Sequence, residues 1–270
     1  MHTLVDARLA PWEPDPGIPG FKQQILHEDV VRESVIKRWH VPPGWGDEIL
    51  QGQPHRHFHR SVTERSYQLF GDFPHWEFEN AADETGTMLT FRPGYFMDRP
   101  PGSLHGLMPG EVSKSGSIIL YWNTGPGASV NDPKAAEETI DVPFGPEARL
   151  IRQQFEAATI FDSATHPWTS SKTAGWKTKL LAAAGNEQPA ISLIAVPLDA
   201  TPASKIIQSD PVDYSWIYVL NGDLQLAIGD EVFDLVEDCF LGWDSDSPPR
   251  WTKGLPSNGG CVVLCSGHAL

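Results

Sequence analysis

The chain has 270 residues, of which 40% are hydrophobic, so it is long enough for two domains and too apolar for a disordered protein. Its formal net charge is −15, and so acidic a chain lacks the basic surface that binds nucleic acid or an anionic membrane. Three cysteines without a CxxC pair are typical of reduced thiols, and the first residues do not resemble a signal peptide. We therefore expect a cytoplasmic protein that acts on a small molecule.

The distribution of turn residues predicts an all-β chain. With 24 glycines and 24 prolines, short strands separated by turns are favoured over long helices. Residues 1–26 are predicted to form a proline-rich arm, and residues 27–125 a first domain. Residues 126–148 have little apolar periodicity and are interpreted as a linker, and residues 149–270 form a second domain. The strands predicted in the first domain lie near residues 62–70, 74–79, 87–92, 95–98, 103–107 and 117–123.

Histidines and one carboxylate are concentrated in the first domain. His57 and His59 are two residues apart, so in a strand both side chains point to the same face. Glu64 has the wrong parity to share that face in one unbroken strand, so the intervening residues must bend or bulge. A proline and a glycine in residues 100–102 predict a tight turn that directs His105 toward the same point. Three imidazoles and one carboxylate form a donor set that borderline divalent metal ions accept.

These two segments resemble the two signature motifs of the cupin superfamily. Residues 57–71 match the first motif, and residues 94–105 match the second. Two positions depart from the pattern: the opening glycine of the first motif is displaced by one residue to Gly52, and Pro109 replaces the closing asparagine of the second. Neither position is a ligand in the motif.

The resemblance implies two tandem cupin barrels, each a double-stranded β-helix of the jelly-roll type. It implies that the barrel of residues 27–125 binds one divalent transition metal per chain, with Fe(II) preferred and Mn, Ni, Zn, Co or Cu as alternatives. The implied metal ligands are His57, His59, Glu64 and His105. Because cupins often pair through outer strands, we also expect a homodimer in which the arm covers a neighbouring surface, in the same chain or in its partner.

The second domain contains a weaker repeat of the first. Residues 215–222 align with residues 64–71, and Gly242 aligns with Gly94. The residues that this alignment places at the four ligand positions are Gln208, Asp210, Ser215 and Lys253. Serine and lysine cannot replace a carboxylate and an imidazole as ligands. We therefore predict that the second barrel has kept the fold and lost the metal.

Further polar residues of the first domain are candidates for contact with a substrate. His55 has the strand parity of the ligand histidines and is either an ordinary residue at the barrel mouth or an acid–base group. Gln68 is either a partner of a ligand or substrate, or a satisfied interior amide. Tyr121 could offer a phenol to the interior, and Arg99 either flanks the entrance or lies in solvent. The candidate catalytic residues are Glu64, His55, Gln68 and Tyr121.

The cupin fold does not by itself define a function, because cupins include dioxygenases, decarboxylases, isomerases, lyases and sensors. The leading hypothesis is a mononuclear non-haem Fe(II) dioxygenase that cleaves a carbon–carbon bond of a small chelating ketone or diketone-like substrate. Four protein ligands would leave two positions on the ion for such a substrate and oxygen. A redox-neutral, metal-dependent lyase or isomerase is the second hypothesis, and a non-catalytic sensing cupin is the third.

Overall fold

The computed structural model describes residues 2–46, 53–110, 112–128, 135–171, 175–185, 189–197, 207–208, 214–244, 250–253, 260–266 and 268–269. Within these ranges the chain is built almost entirely of β-strands, which confirms the all-β prediction. The helical segments there are α1 (Ala135–Glu138) and two 3-10 turns, Pro146–Leu150 and Ser163–Thr165. Among the described residues, no helix is long and apolar enough to cross a membrane.

Contacts divide the chain into two compact units. The first unit consists of residues 12–163, and the second of residues 1–11 together with residues 164–270. The strands of the first unit are β2 (Glu13–Pro14), β3 (Lys22–Asp29), β4 (Ser34–Val41), β5 (His55–His59), β6 (Thr63–Gly71), β7 (Phe73–Glu77), β8 (Thr87–Phe91), β9 (Tyr95–Arg99), β10 (His105–Leu107), β11 (Ser117–Thr124), β12 (Thr139–Asp141) and β13 (Thr159–Asp162). The strands of the second unit are β1 (His2–Asp6), β14 (Thr169–Ser170), β15 (Lys177–Ala182), β16 (Ile191–Val196), β17 (Ile207–Gln208), β18 (Tyr214–Asn221), β19 (Asp223–Ile228), β20 (Glu231–Val236), β21 (Cys239–Asp244), β22 (Arg250–Lys253), β23 (Cys261–Ser266) and β24 (His268–Ala269).

The first unit is a barrel of two antiparallel sheets. One sheet has the strand order β13-β9-β6-β11-β4-β3-β2, and the other has the order β12-β5-β10-β7-β8. Alternate residues of each strand face inward, and part of the interior is an apolar cluster that includes Phe91, Met97 and Tyr121. The ring of Trp39 stacks on that of Tyr121 at 4.0 Å between centroids. These apolar contacts fix the strands that carry the polar site.

The second unit repeats this topology. Its large sheet has the order β1-β21-β18-β23-β16-β15-β14, and its shorter sheets are β20-β19-β22 and β17-β24. Each strand occupies the place of one strand in the first unit. Gly71 and Gly222 mark equivalent turns, with φ angles of 75° and 78°. A Cβ atom at either position would lie within 2.2 Å of the carbonyl oxygen of Gly116 or Gly260, respectively, so both turns require glycine.

The strand pairing corrects the predicted alignment of the second motif. The backbone N–H of Gly94 donates to the carbonyl of Gln68 at 2.9 Å, and the N–H of Asp238 donates to the carbonyl of Val219 at 2.9 Å. Gly94 is therefore equivalent to Asp238, which has a φ of 66°, and the prediction that Gly242 is its equivalent was wrong. Aspartate is one of the few other residues that adopt left-handed backbone conformations, so the repeat does not need a glycine there.

The same correction changes the predicted equivalent of His105. Gly106 pairs with Trp76 in the first barrel as Arg250 pairs with Ala227 in the second. The residue that precedes Arg250 in the sequence is Pro249, so the predicted match of His105 with Lys253 is wrong. Pro249 and the predicted position Asp210 lie outside the described residues, and Gln208 lies in β17.

The compact units also differ from the predicted domain limits. The predicted arm, residues 1–26, is shared between the units: β1 pairs with β21 of the second unit, whereas β3 pairs with β4 of the first. The predicted linker, residues 126–148, contains β12, which pairs with β5. The predicted second domain begins at residue 149, but β13 pairs with β9 of the first unit. Proline-rich and acidic segments thus supply edge strands that their composition did not indicate.

Candidate metal centre

The four predicted ligands come from three strands on two facing sheets. His57 lies opposite His105 in the antiparallel pairing of β5 with β10. The chain leaves β5 after His59 and begins β6 at Thr63 in the other sheet. This crossing is the bend that the parity of Glu64 requires, and it places the carboxylate opposite the histidines.

The side chains of these residues form one compact cluster. The ligand atoms of His57, His59 and His105 all lie within 4.8 Å of one another. One carboxylate oxygen of Glu64 is 3.2 Å from Nε2 of His59, and the other is 3.2 Å from Nε2 of His105. Glu64 itself is buried, with 6% of its surface exposed.

The tautomer of His105 shows that this donor set fits a cation. Nδ1 of His105 lies 2.9 Å from the carbonyl oxygen of Ser103, which can only accept a hydrogen bond, so Nδ1 carries the proton. In the neutral ring Nε2 then has a lone pair, which faces a Glu64 oxygen at 3.2 Å. Two acceptors so close repel each other unless a cation lies between them. Nδ1 of His57 is also buried and has no hydrogen-bond partner among the described residues.

The electrostatics of the cluster keep three of the four ligands in the protonation states that metal binding requires. Burial and the neighbouring His59 lower the pKa of His57 to about 3. Burial and Arg99 hold the pKa of His105 well below its usual value. Burial would raise the pKa of Glu64, but the adjacent imidazoles and guanidinium outweigh it and place that pKa well below the usual value. The site therefore presents neutral His57 and His105 and an ionised Glu64. At His59 the charge of Glu64 outweighs burial and raises the pKa, so a metal ion has to compete with a proton for that ring.

Tyr121 and Arg99 hold Glu64 in place. The Tyr121 hydroxyl donates to Glu64 Oε1, and a guanidinium nitrogen of Arg99 lies 3.7 Å from Oε2. Burial and the charge of Glu64 raise the pKa of Tyr121 well above its usual value, so the phenol remains a donor. Tyr121 was a candidate because its phenol could face the barrel interior. The phenol is instead bound to the carboxylate of Glu64.

The other two candidates, His55 and Gln68, form hydrogen bonds with residues other than the four ligands. His55 is at the end of β5, with 47% of its side chain exposed, and its Nε2 is 3.1 Å from a carboxylate oxygen of Asp141. Its ring is 5.0 Å from that of His57, so it lies at the edge of the cluster. Gln68 is buried, and its amide donates to the hydroxyl of Ser117 and to a backbone carbonyl. Gln68 is thus an interior amide, but it is not fully satisfied, because its Oε1 is buried and has no hydrogen-bond partner among the described residues.

Further charged residues lie next to the cluster, and one of them is Arg99, which was expected at the entrance or in solvent but is buried. Nε of Arg99 donates to Glu77 at 3.1 Å, and a second nitrogen of the same guanidinium is 3.0 Å from Nδ1 of His75. Strand parity alone does not decide whether such side chains face the interior or the surface. The pairing of β7 with β10, in which Glu77 lies opposite His105, places them beside the cluster.

Glu138 on α1 has one buried carboxylate oxygen without a hydrogen-bond partner among the described residues. Burial lowers the pKa of His59, but the adjacent Glu64, with a smaller contribution from the charge of Glu138, raises it above its usual value.

Comparison with known proteins places this geometry in a fold family. No protein-family model matches the sequence, and no curated protein matches it. Among solved structures, the Escherichia coli protein YlbA superposes with a TM-score of 0.62 at 11% identity, over 98% of this chain and 90% of that chain. A variant of oxalate decarboxylase from Bacillus subtilis superposes with a TM-score of 0.61 at 11% identity, over 98% of this chain and 77% of that one.

The chain has the cupin fold. The predicted pair of cupin motifs is thereby confirmed at the level of fold, and the three-histidine cluster marks the first cupin barrel as a candidate metal-binding barrel. At identities near 11% the comparisons show the fold alone.

Proposed function

We propose that this cupin is a metal-dependent enzyme whose first barrel binds one divalent transition ion through His57, His59, Glu64 and His105. The observation that carries the proposal is the lone pair of His105 Nε2 facing a Glu64 oxygen at 3.2 Å. Imidazole and carboxylate donors suit Fe(II), which is the preferred ion, and also Mn, Ni, Zn, Co and Cu.

The proposed reaction is oxygen-dependent cleavage of a carbon–carbon bond in a small chelating ketone or diketone-like molecule. When bound, the ion would act as a Lewis acid and, as Fe(II), as a source of electrons for dioxygen. Both atoms of dioxygen would be transferred to the two products, so that no other reductant is consumed. A substrate bound as an anion would place its negative charge on the metal ion. The ion matters for this binding, because a chain with a net charge of −15 has little other positive charge to hold an anion.

The chain's own residues would organise this reaction. Glu64 is held by Tyr121 and Arg99, so its proposed part is to stay in place as a ligand and not to move as a base. His55 is half exposed and paired with Asp141, which suits exchange of a proton between the site and solvent. Gln68 has no part in this proposal, because its amide is bound to Ser117.

A redox-neutral cleavage of a carbon–carbon bond is the second candidate. The likeness to oxalate decarboxylase, at 11% identity, favours it, because that enzyme by its name removes a carboxyl group from a small dicarboxylate. The same four ligands would serve, with the ion acting only as a Lewis acid. Oxygen dependence therefore separates the two candidates.

The test is turnover of a panel of small diketones, hydroxyketones and dicarboxylates by the Fe(II)-loaded protein, in air and under argon. The proposal expects oxygen uptake equal to the substrate consumed, and no turnover under argon. Full activity under argon would establish the redox-neutral reaction instead. Metal binding without turnover of any compound in either atmosphere would favour a sensing role, and a His57→Ala variant serves as the metal-free control.

A further inference from the structure

Asp15 is a buried carboxylate of the first unit that the proposed reaction does not use. It lies in the loop between β2 and β3, inside the segment predicted to be an arm, and 6% of its surface is exposed. Its Oδ1 accepts hydrogen bonds from the backbone N–H groups of Gly17 and Ile18 at 2.9 and 3.0 Å. The turn of the loop therefore holds the carboxylate in one orientation.

The second oxygen of Asp15 binds two side chains of β4. Oδ2 accepts a hydrogen bond from Nε1 of Trp39 at 2.7 Å and lies 3.2 Å from Nζ of Lys37. Trp39 is only partly buried, so burial holds its ring less firmly than that of a core residue. Phe21, at the other end of the loop, adds an edge-on contact at 5.6 Å between ring centroids. The loop thus restrains the indole at two points.

Trp39 transmits this restraint to the residue that holds Glu64. Its ring stacks on that of Tyr121 at 4.0 Å between centroids, with an interplanar angle of 23°. The Tyr121 hydroxyl donates to the Glu64 carboxylate. Hydrogen bonds weaken steeply when their distance and angle change, so a shift of the indole would weaken the bond to Glu64. Three successive contacts connect Asp15 to a proposed metal ligand.

We propose that Asp15 is a positioning residue for the metal centre, which acts on Glu64 through the ring of Trp39 and the hydroxyl of Tyr121. This inference rests on the proposed function, since it takes Glu64 as a metal ligand. It gives the loop between β2 and β3 a part in setting the affinity for the ion.

Asp15 could also act on the metal by charge alone. Its partner Lys37 has its ammonium group 5.9 Å from the centre of the Tyr121 ring. Without Asp15 this cation would be unpaired and would repel a metal ion. Such repulsion does not depend on the Tyr121 hydroxyl, whereas action through Trp39 requires it. Removal of the hydroxyl therefore separates the two effects.

The experiment is a double-mutant cycle on the full chain. Competition with a chromophoric chelator measures Zn(II) affinity for the wild type, Asp15→Ala, Tyr121→Phe and the double variant. Trp39→Phe, made in the same two backgrounds, keeps an aromatic ring and removes the N–H group that Asp15 binds. Asp29→Ala is the matched control, because Asp29 accepts the backbone N–H groups two and three residues later, as Asp15 does. Visible spectra of the Co(II)-loaded variants report the geometry of the ligands, which a general loss of stability leaves unchanged.

We expect Asp15→Ala to weaken Zn(II) binding by about three- to tenfold, no more than the loss of the Tyr121 hydroxyl itself, and to alter the Co(II) spectrum. In the Tyr121→Phe background the same change should alter the affinity by less than about twofold. Trp39→Phe should show a smaller loss with the same dependence on the hydroxyl. Asp29→Ala should bind Zn(II) as the wild type does.

An equal loss of affinity in both backgrounds would overturn the inference and assign the effect to the charge of Lys37 or to general destabilisation. Unchanged affinity with an unchanged Co(II) spectrum in Asp15→Ala would also overturn it, as would an equal loss in Asp29→Ala. If Asp15→Ala does not fold, Trp39→Phe decides by the same criterion. A wild type that binds no Zn(II) would contradict the proposed function and this inference together. Failure of turnover with Zn(II) binding intact would count against the proposed reaction alone.

Discussion

The strand pairing that joins Glu64 to Arg99 in the first barrel joins Ser215 to Trp243 in the second. Ser215 and Trp243 are both completely buried. Trp243 belongs to an apolar cluster that fills the second barrel and also contains Cys265. One set of strands therefore encloses a charged site in one unit and a close-packed core in the other.

The difference lies in a few inward positions and not in the backbone. Tyr121 lies opposite Lys37 in the first barrel, whereas Cys265 lies opposite Ser192 in the second. Buried charges are costly unless they are paired. The first barrel meets that cost with two sets of ion pairs: Arg99 with Glu64 and Glu77, and Lys37 with Asp15. The comparison indicates that the first barrel is specialised for chemistry and the second for stability.

Removal of a ligand should have the largest effect. His57→Ala is expected to lower the affinity for a divalent ion by more than about 100-fold, which exceeds the usual effect of changing a residue that only supports a ligand, with an unchanged circular dichroism spectrum. The matched change in the second barrel, Ser215→Ala, should leave the metal content at one ion per chain. Elemental analysis of both variants checks this, and two tightly bound ions per wild-type chain would contradict the division of roles.

Trp243→Ala should produce the opposite pattern. Because Trp243 is fully buried in the apolar cluster, its removal should lower the free energy of unfolding by about 3–5 kcal/mol. Urea denaturation of the Zn(II)-loaded protein measures this change. Val232→Ala, at a position that is 56% exposed, is the control and should cost less than about 0.5 kcal/mol. A large loss of metal affinity in Trp243→Ala would show that the second barrel is not a separate structural support.

A smaller effect is expected from the hydrogen bond that holds Glu64. Tyr121→Phe keeps the ring that stacks on Trp39 and removes the donor to Glu64. We expect a loss of about tenfold in metal affinity, the lower end of the range for residues that support a ligand. Competition with a chromophoric chelator provides the measurement. Cys265→Ala, at the equivalent position of the second barrel, should have no effect on metal affinity.

The smallest effect concerns the turn that the two barrels build from different residues. Asp238 has a φ of 66° and accepts a hydrogen bond from Tyr218 at 2.6 Å. Asp238→Ala loses this bond and keeps the strained backbone, whereas Asp238→Gly relieves the strain. The alanine variant should therefore be less stable than the glycine variant by about 1 kcal/mol. Equal stability in thermal denaturation would show that the left-handed turn carries no strain.

The first barrel was predictable from sequence because its signals are local. The spacing of His57 and His59 and the turn before His105 set the direction of each side chain before any tertiary contact is considered. The strand β11, observed at Ser117–Thr124, was expected within one residue of these limits. The second barrel was harder to predict from sequence, because Asp238 stands where the first barrel has Gly94, the glycine used to align the two motifs. The expected homodimer remains a prediction, which light scattering would check.

No local pattern in the sequence identified the residues that contact the cluster. Arg99, Glu77 and His75 read as ordinary charged or polar strand residues, and their burial depends on how β7 and β9 meet across the interior. The strand β1 was missed for a related reason, since its partner β21 is far away in the chain and its own residues are only half buried. Long-range pairing, and not propensity, decided both cases.

The pairing of His2 with Trp243 has a consequence for how the protein is made. The ribosome synthesises β1 long before β21, so at about 5–20 residues per second β1 remains without its partner for on the order of 10–50 s. The first unit can fold during that interval, while the finished sheet of the second unit exposes an edge until β1 docks. Such an edge accepts the β1 of any nearby chain equally well. Neighbouring nascent chains on one messenger could therefore exchange their first strands, and dilution during synthesis would reduce that exchange.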